Sequence, residues 1–123
     1  MVQIDSGRYR VLKANHEKAV EVFKVILEHQ HAHPEIFYYS RSRTFFMDAP
    51  DNPDEEIWMF IDEYDDREKY WSSLMKALTV DSETDEKRQS SLKFMIPGTE
   101  LKGHEIWTEI EDLRVEFKDR PLK

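Results

Sequence analysis

The chain has 123 residues, enough for one domain with a single modest core. Its 26 acidic residues outnumber its 18 basic ones, and the net charge of −8 disfavours phosphate-bearing partners, both nucleic acid and anionic membrane. Cysteine is absent, which excludes disulfides and thiolate chemistry and fits a reducing compartment.

Met1 to Asp5 has neither the basic nor the apolar region of a signal peptide, and no apolar run approaches the ~20 residues that span a bilayer. The expectation is a soluble, cytoplasmic protein. Arg8 to Ala14 alternates as a first strand, β1, with Tyr9 and Val11 on one face and Leu12 and Ala14 on the other. Asn15 suits an N-cap. Ala19, Val22, Phe23, Ile26 and Leu27 recur at helical spacing, which predicts a helix, α1, from His16 to about His33. Pro34 stops it.

Glu35 to Met47 is rich in aromatic and β-branched residues and predicts a long second strand, β2, with a polar middle at Ser40 to Arg43. The turn-rich stretch Asp48 to Asp54 then joins it to β3 as a hairpin. The third strand, Glu56 to Asp62, holds five consecutive large apolar residues. Strand alternation puts Ile57, Met59 and Ile61 on one face and Trp58 and Phe60 on the other, so both faces need cover.

A second helix, α2, opens at Asp65 to Glu68, where Asp65 and Glu68 have capping-box spacing. Trp71, Leu74 and Leu78 form its apolar stripe. The acidic stretch Asp81 to Ser91 predicts a short third helix running towards Ile96 and ending at Pro97-Gly98. His104 to Ile110 alternates as β4, and Leu113, Val115 and Phe117 continue with opposite parity, which calls for a bulge near Glu111 and Asp112.

The order β-α-β-β-α-β is the ferredoxin-like split unit, an α+β fold in one domain over residues 1–123, with both main helices on one face of the sheet. We expect β1 and β3 to be central and parallel, with a right-handed crossover through α1. The helix-free face would leave several apolar side chains in water, each forgoing ~1.5–3 kcal/mol. So large a patch predicts a homodimer through that face, by two-fold symmetry.

From Arg8 to about Phe117 the chain resembles the dimeric α+β barrel superfamily, near its antibiotic-biosynthesis monooxygenase-like and NIPSNAP-like branches. The resemblance lies in the element order, the two-faced β3, the segment Phe60-Ile-Asp-Glu-Tyr-Asp-Asp-Arg-Glu68 and the opening strand Tyr9-Arg-Val-Leu12. It implies that two such sheets close into one barrel. It also implies a small-molecule binder or, alternatively, a cofactorless monooxygenase-like enzyme acting on an aromatic or polyketide-like substrate. The monooxygenase branch often has a histidine on α2, where this chain has Tyr70-Trp-Ser-Ser-Leu74. Haem-binding relatives use an axial histidine, for which His16 and His104 are the residues available.

The surplus of large aromatics predicts an apolar pocket between sheet and helices, suited to a fatty-acid-like or aromatic ligand, with some of these residues serving as core and interface. The expected ligand-binding residues are Tyr38, Trp58, Phe60, Tyr70, Trp71 and His104, and His104 is also the candidate catalytic base. His29 and His33 share a helical face, but cationic or polar residues suit a helix C-terminus, so no metal is expected there. Arg41 and Arg43 could hold a ligand carboxylate, or pair with acids such as Glu105, Glu109 and Glu111 on a neighbouring strand or subunit. Asp62, Glu63, Asp65 and Asp66 read as capping and dipole complement. No phosphate-binding glycine loop, nucleophile elbow or H-E-x-x-H occurs, and no cofactor is expected.

Overall fold

The computed structural model describes residues 2–80, 82–99 and 102–120, and leaves the side chains of 78–80, 82, 84 and 102–104 undescribed. Four strands and three helices run in the order β1 (Gln3–Leu12), α1 (His16–His31), β2 (Arg41–Asp48), β3 (Glu55–Tyr64), α2 (Arg67–Val80), α3 (Ser82–Leu92) and β4 (Lys102–Thr108). The sheet order is β2-β3-β1-β4. The protein is therefore α+β, with the expected β-α-β-β-α-β order and an added helix. No helix among the described residues is long and apolar enough to cross a membrane.

β1 and β3 are central, as expected, but they pair antiparallel, which corrects the parallel arrangement. The α1 crossover returns the chain so that β2 runs in the direction of β1. The β2–β3 hairpin then inserts β3 between them, opposed to both. β1 also starts five residues earlier than its alternation suggests. Asp5, Ser6 and Gly7 are poor strand formers, yet β3 pairs with all three and β4 with Asp5 and Ser6. The strand ends at Leu12, so Lys13–Asn15 forms a 3-10 turn.

β2 is shorter than expected. Its first part, Ile36 to Tyr39, is not strand but a turn that folds back on the end of α1, with the amides of Ile36 and Phe37 donating to the His33 carbonyl. Phe37 is buried edge-on against His29. The apolar residues there close the end of the helix layer rather than extend the sheet. Asp66, not Asp65, caps α2, its Oδ1 accepting the Lys69 amide at 3.0 Å. Asn15 stands at the N-cap of α1 but makes no side-chain cap bond. After β4 the chain makes a 3-10 turn at Glu111–Leu113 in place of a bulge.

Side-chain parity follows the register. Tyr9 lies opposite Trp58, Val11 opposite Glu56, Gly7 opposite Phe60 and Asp5 opposite Asp62, all on the helix side. Tyr9, Val11, Ala19 and Trp58 form the buried core, with Phe23, Phe60, Phe94 and Met95 packed around it. Gly7 is required by close approach: a Cβ there would stand 2.6 Å from the Phe60 ring, which lies over the sheet at that point. Beyond the end of β4, Ile96 covers the edge of β1 by donating its amide to the Arg10 carbonyl at 2.9 Å.

Candidate functional site

The space between sheet and helices is not filled. A cavity of about 700 Å³ lies there, floored by Tyr9 and Phe60 and walled by Phe23, Trp71, Leu74 and Met95. The three helices supply its roof, and α3 and the 93–99 segment add Arg88, Met95 and Ile96 to its lining. Arg88 reaches it from α3, already paired with Asp85 at 3.0 Å. Asp62 brings a carboxylate to it from the floor.

That carboxylate belongs to a buried polar group. Tyr70 donates its hydroxyl to Asp62 Oδ2 at 2.9 Å. Tyr70 stacks on Tyr64 at 4.9 Å between centroids and meets Tyr39 edge-on at 6.2 Å. Tyr39 in turn donates to the Gln30 side chain. Asp5, fully buried, faces Asp62 across the paired strands. Burial pushes the Tyr70 phenol far up from its ordinary range, and the Asp62 charge and hydrogen bond add to this. Tyr39 is raised by burial and then by Asp62, and Tyr9 by burial. None of the three is a phenolate at neutral pH, so they act as donors and walls, not as bases.

A second cavity of about 580 Å³ opens between α1 and β2, walled by Phe23, Phe46 and Trp58, with His16 in its lining. The ring of His16 meets Phe46 edge-on at 4.6 Å and Trp58 at 5.5 Å. Its Nδ1 lies 2.7 Å from Glu56 Oε1, which also accepts the Trp58 indole N–H at 3.0 Å.

The expected ligand-binding residues divide between these places. Phe60 and Trp71 line the larger cavity and Trp58 the smaller. Tyr70 sits behind the lining as the donor to Asp62. Tyr38 is outside both, its ring 4.3 Å from the Lys69 ammonium, which ties the 36–40 turn to α2. His104 belongs to β4, but its side chain lies outside the described residues. Sequence reasoning does not single out Glu56, although strand alternation puts it on the buried face with Trp58. It reaches His16 only as a possible haem ligand.

The other charged candidates are accounted for by local pairing. The Nδ1–H of His33 donates to the His29 carbonyl at 2.8 Å, and His29 Nδ1 lies 3.6 Å from Glu83. No group of three or more metal-ligating residues is assembled among the described residues. Arg41 and Arg43 pair across the hairpin with Glu63, at 2.5 and 3.3 Å. That corrects the choice of Glu105, Glu109 and Glu111 as their acids within the chain, since β4 is at the opposite edge of the sheet.

No family model matches the chain, and no curated protein matches it. Solved structures do. It is similar to a point mutant of SnoaB, a cofactor-independent oxygenase from Streptomyces nogalater, with a TM-score of 0.57 and 14% identity over 89% of this chain and 93% of that one. A candidate antibiotic biosynthesis monooxygenase from Chloroflexus aurantiacus gives a TM-score of 0.53 at 12% identity, covering 89% and 94%. A dimeric ferredoxin-like protein of unknown function from Jannaschia gives 0.50 at 12% identity, covering 88% and 99%. The chain shares its ferredoxin-like fold with these proteins. At these identities the likeness extends to the fold alone.

Proposed function

We propose that the protein binds one small apolar or aromatic molecule in the 700 Å³ cavity between sheet and helices, and does so as a cytoplasmic homodimer. The observation that carries the reading is the cavity itself: aromatic walls, with one carboxylate, Asp62, on its floor and held by Tyr70. Ligand sites are typically of about 300–1,000 Å³, mostly apolar, with a few polar groups that fix orientation.

The helix-free face supports the dimer. Phe45, Met47 and Trp107 are each about half exposed on it, beside Ile57, Met59 and Ile61. Past β4, Ile110, Leu113, Val115 and Phe117 are 58–78% exposed on one short arm, an apolar strip that its own chain leaves uncovered. A second copy covers both features with one two-fold contact. The dimeric state of the Jannaschia neighbour agrees with this reading.

The binding test is a thermal-shift screen with fatty acids, quinones and polycyclic aromatics. A bound ligand raises the apparent melting temperature by mass action. Leu74→Trp, which fills the cavity, should abolish the shift. No shift from any of these classes at saturation would overturn the reading.

A second reading is a cofactorless monooxygenase-like enzyme for an aromatic or polyketide-like substrate. The similarity to a cofactor-independent oxygenase over 89% of the chain favours it. Burial keeps the three phenols in their neutral form, so in this reading the proton acceptor is Asp62 or His104. Oxygen uptake with a dihydroxy-aromatic panel tests it, and rates unchanged in Asp62→Asn, His104→Ala and Trp71→Ala would remove these residues from any mechanism.

A further inference from the structure

We propose that His16 and Glu56 form a proton-accepting site for a weakly acidic aromatic ligand, a phenol or naphthol, held in the smaller cavity between α1 and β2. Glu56 is 4% exposed, and a carboxylate buried that deeply is tolerated only where donors satisfy it. Its Oε1 accepts from both His16 Nδ1 and the Trp58 indole. In the neutral imidazole, a carboxylate that only accepts places the proton on Nδ1, and Nε2 is then the basic nitrogen. Among the described residues nothing bonds to Nε2, and the ring lines the cavity.

The pair is better built for proton transfer than for holding α1 to the sheet. A structural tie needs only the Nδ1 contact. Here the ring is also set edge-on between Phe46 and Trp58, which fixes its plane at the mouth of an aromatic slot. Phe23 and Leu27 complete that slot, so a flat ring with one polar edge suits it. The other titratable groups in the lining, Lys24, Glu28 and His31, all come from α1. An apolar slot admits the neutral acid more readily than its anion. Once docked, the O–H bond breaks and an N–H bond forms at Nε2. Phenolate and imidazolium remain side by side, and the Glu56 carboxylate balances the cation. No oxidant or cofactor is needed for this step. The site is distinct from the larger cavity, although Phe23, Leu27 and Thr44 line both.

4-Nitrophenol is a probe whose phenolate is visible by absorbance. At a pH where the free probe is protonated, the bound probe should show a phenolate-to-phenol ratio raised about tenfold or more, the effect of one close opposite charge. His16→Gln should abolish that band, and His33→Gln, at a histidine outside both cavities, should leave it in place. Glu56→Gln, which keeps the imidazole but removes the balancing charge, should weaken it. Val20→Trp, which fills the slot without touching the pair, should abolish probe binding there, and this variant decides the matter if His16→Gln fails to fold. Leu74→Trp separates the two cavities: binding lost in that variant belongs to the larger one, and the assignment to the slot then fails. A bound probe that stays neutral in the wild-type protein, a phenolate band that survives in Val20→Trp or His16→Gln, or one that is lost in His33→Gln would also overturn the assignment.

Discussion

On the helix side of β3, Trp58 and Tyr64 are 3% and 1% exposed, and two carboxylates, Glu56 and Asp62, sit among hydrogen-bond donors. On the other side Ile57, Met59 and Ile61 are half-buried beside the exposed Phe45, Met47 and Trp107. The two faces hold apolar residues of similar size, and what separates them is where the polar groups lie. On the helix side they are inside, next to cavities. On the open side they form a rim, with Arg10, Asp51 and Glu55 at one end and Arg41, Arg43 and Glu63 at the other. Buried polar groups beside empty space suit ligand binding, whereas an apolar centre with a charged rim has the anatomy of a protein interface.

The largest effect expected is on the helix side. Trp58→Ala removes a core ring that touches Tyr9, Phe23 and His16, and leaves Glu56 without its indole donor. The loss should be about 3–5 kcal/mol in denaturant unfolding. A loss below about 1 kcal/mol would mean that the two faces are not distinguished by packing. Next comes the open face. Met59→Lys puts a charge in the centre of the apolar patch and should weaken dimerisation by about 2–4 kcal/mol, the range of a central interface residue. Sedimentation velocity at micromolar concentration would show a shift to monomer, with the fold kept by circular dichroism. A wild-type protein that already sediments as one chain would remove the interface from the comparison.

The alternation within β3 makes this two-facedness legible from sequence, and the element order follows from the boundaries of its apolar run. Other features are hidden for physical reasons. Asp5 to Gly7 carries little strand propensity and is strand because flanking strands supply its hydrogen bonds. Ile36 to Tyr39 carries much and is a turn, since Phe37 and Tyr39 pack on the end of α1. Strand direction depends on which neighbour the crossover reaches, and no local pattern in β1 or β3 records it. The site is half visible. Aromatic surplus marks a slot, but the His16–Glu56 contact joins residues 40 apart in sequence. Only the parity of Glu56 with Trp58 hints that this acid points inward.

A smaller effect would sharpen the contrast in polar placement. Tyr70→Phe deletes the donor to Asp62 and keeps the ring that stacks on Tyr64. A lost buried hydrogen bond to a charged acceptor costs about 1–3 kcal/mol. If Asp62 is an anchor in the larger cavity, ligand affinity should change in this variant as well. An equal loss of stability with unaltered binding would make Asp62 structural only.

The smallest effect concerns the rim, and its sign can be fixed in advance. The Glu63 carboxyl is held below its ordinary range, first by the Arg41 hydrogen bond and then by the charges of Arg41 and Arg43, against some opposition from burial. The folded protein therefore binds the Glu63 proton less readily than the unfolded chain does. The contribution is complete above the ordinary glutamate pKa of about 4.3, and it is lost as pH falls through the lower, folded value. Because the pair is near the surface, its size should not exceed about 1 kcal/mol, and salt should reduce it. Glu63→Gln should be less stable than wild type at neutral pH, and the two curves should converge on acidification. Were a second copy to cover this rim, dissociation would follow the same pH course, because the protonated acid would leave Arg41 and Arg43 with a weaker partner at the edge of the contact. Convergence of the stability curves without any change in oligomeric state would place Glu63 outside the buried part of the interface.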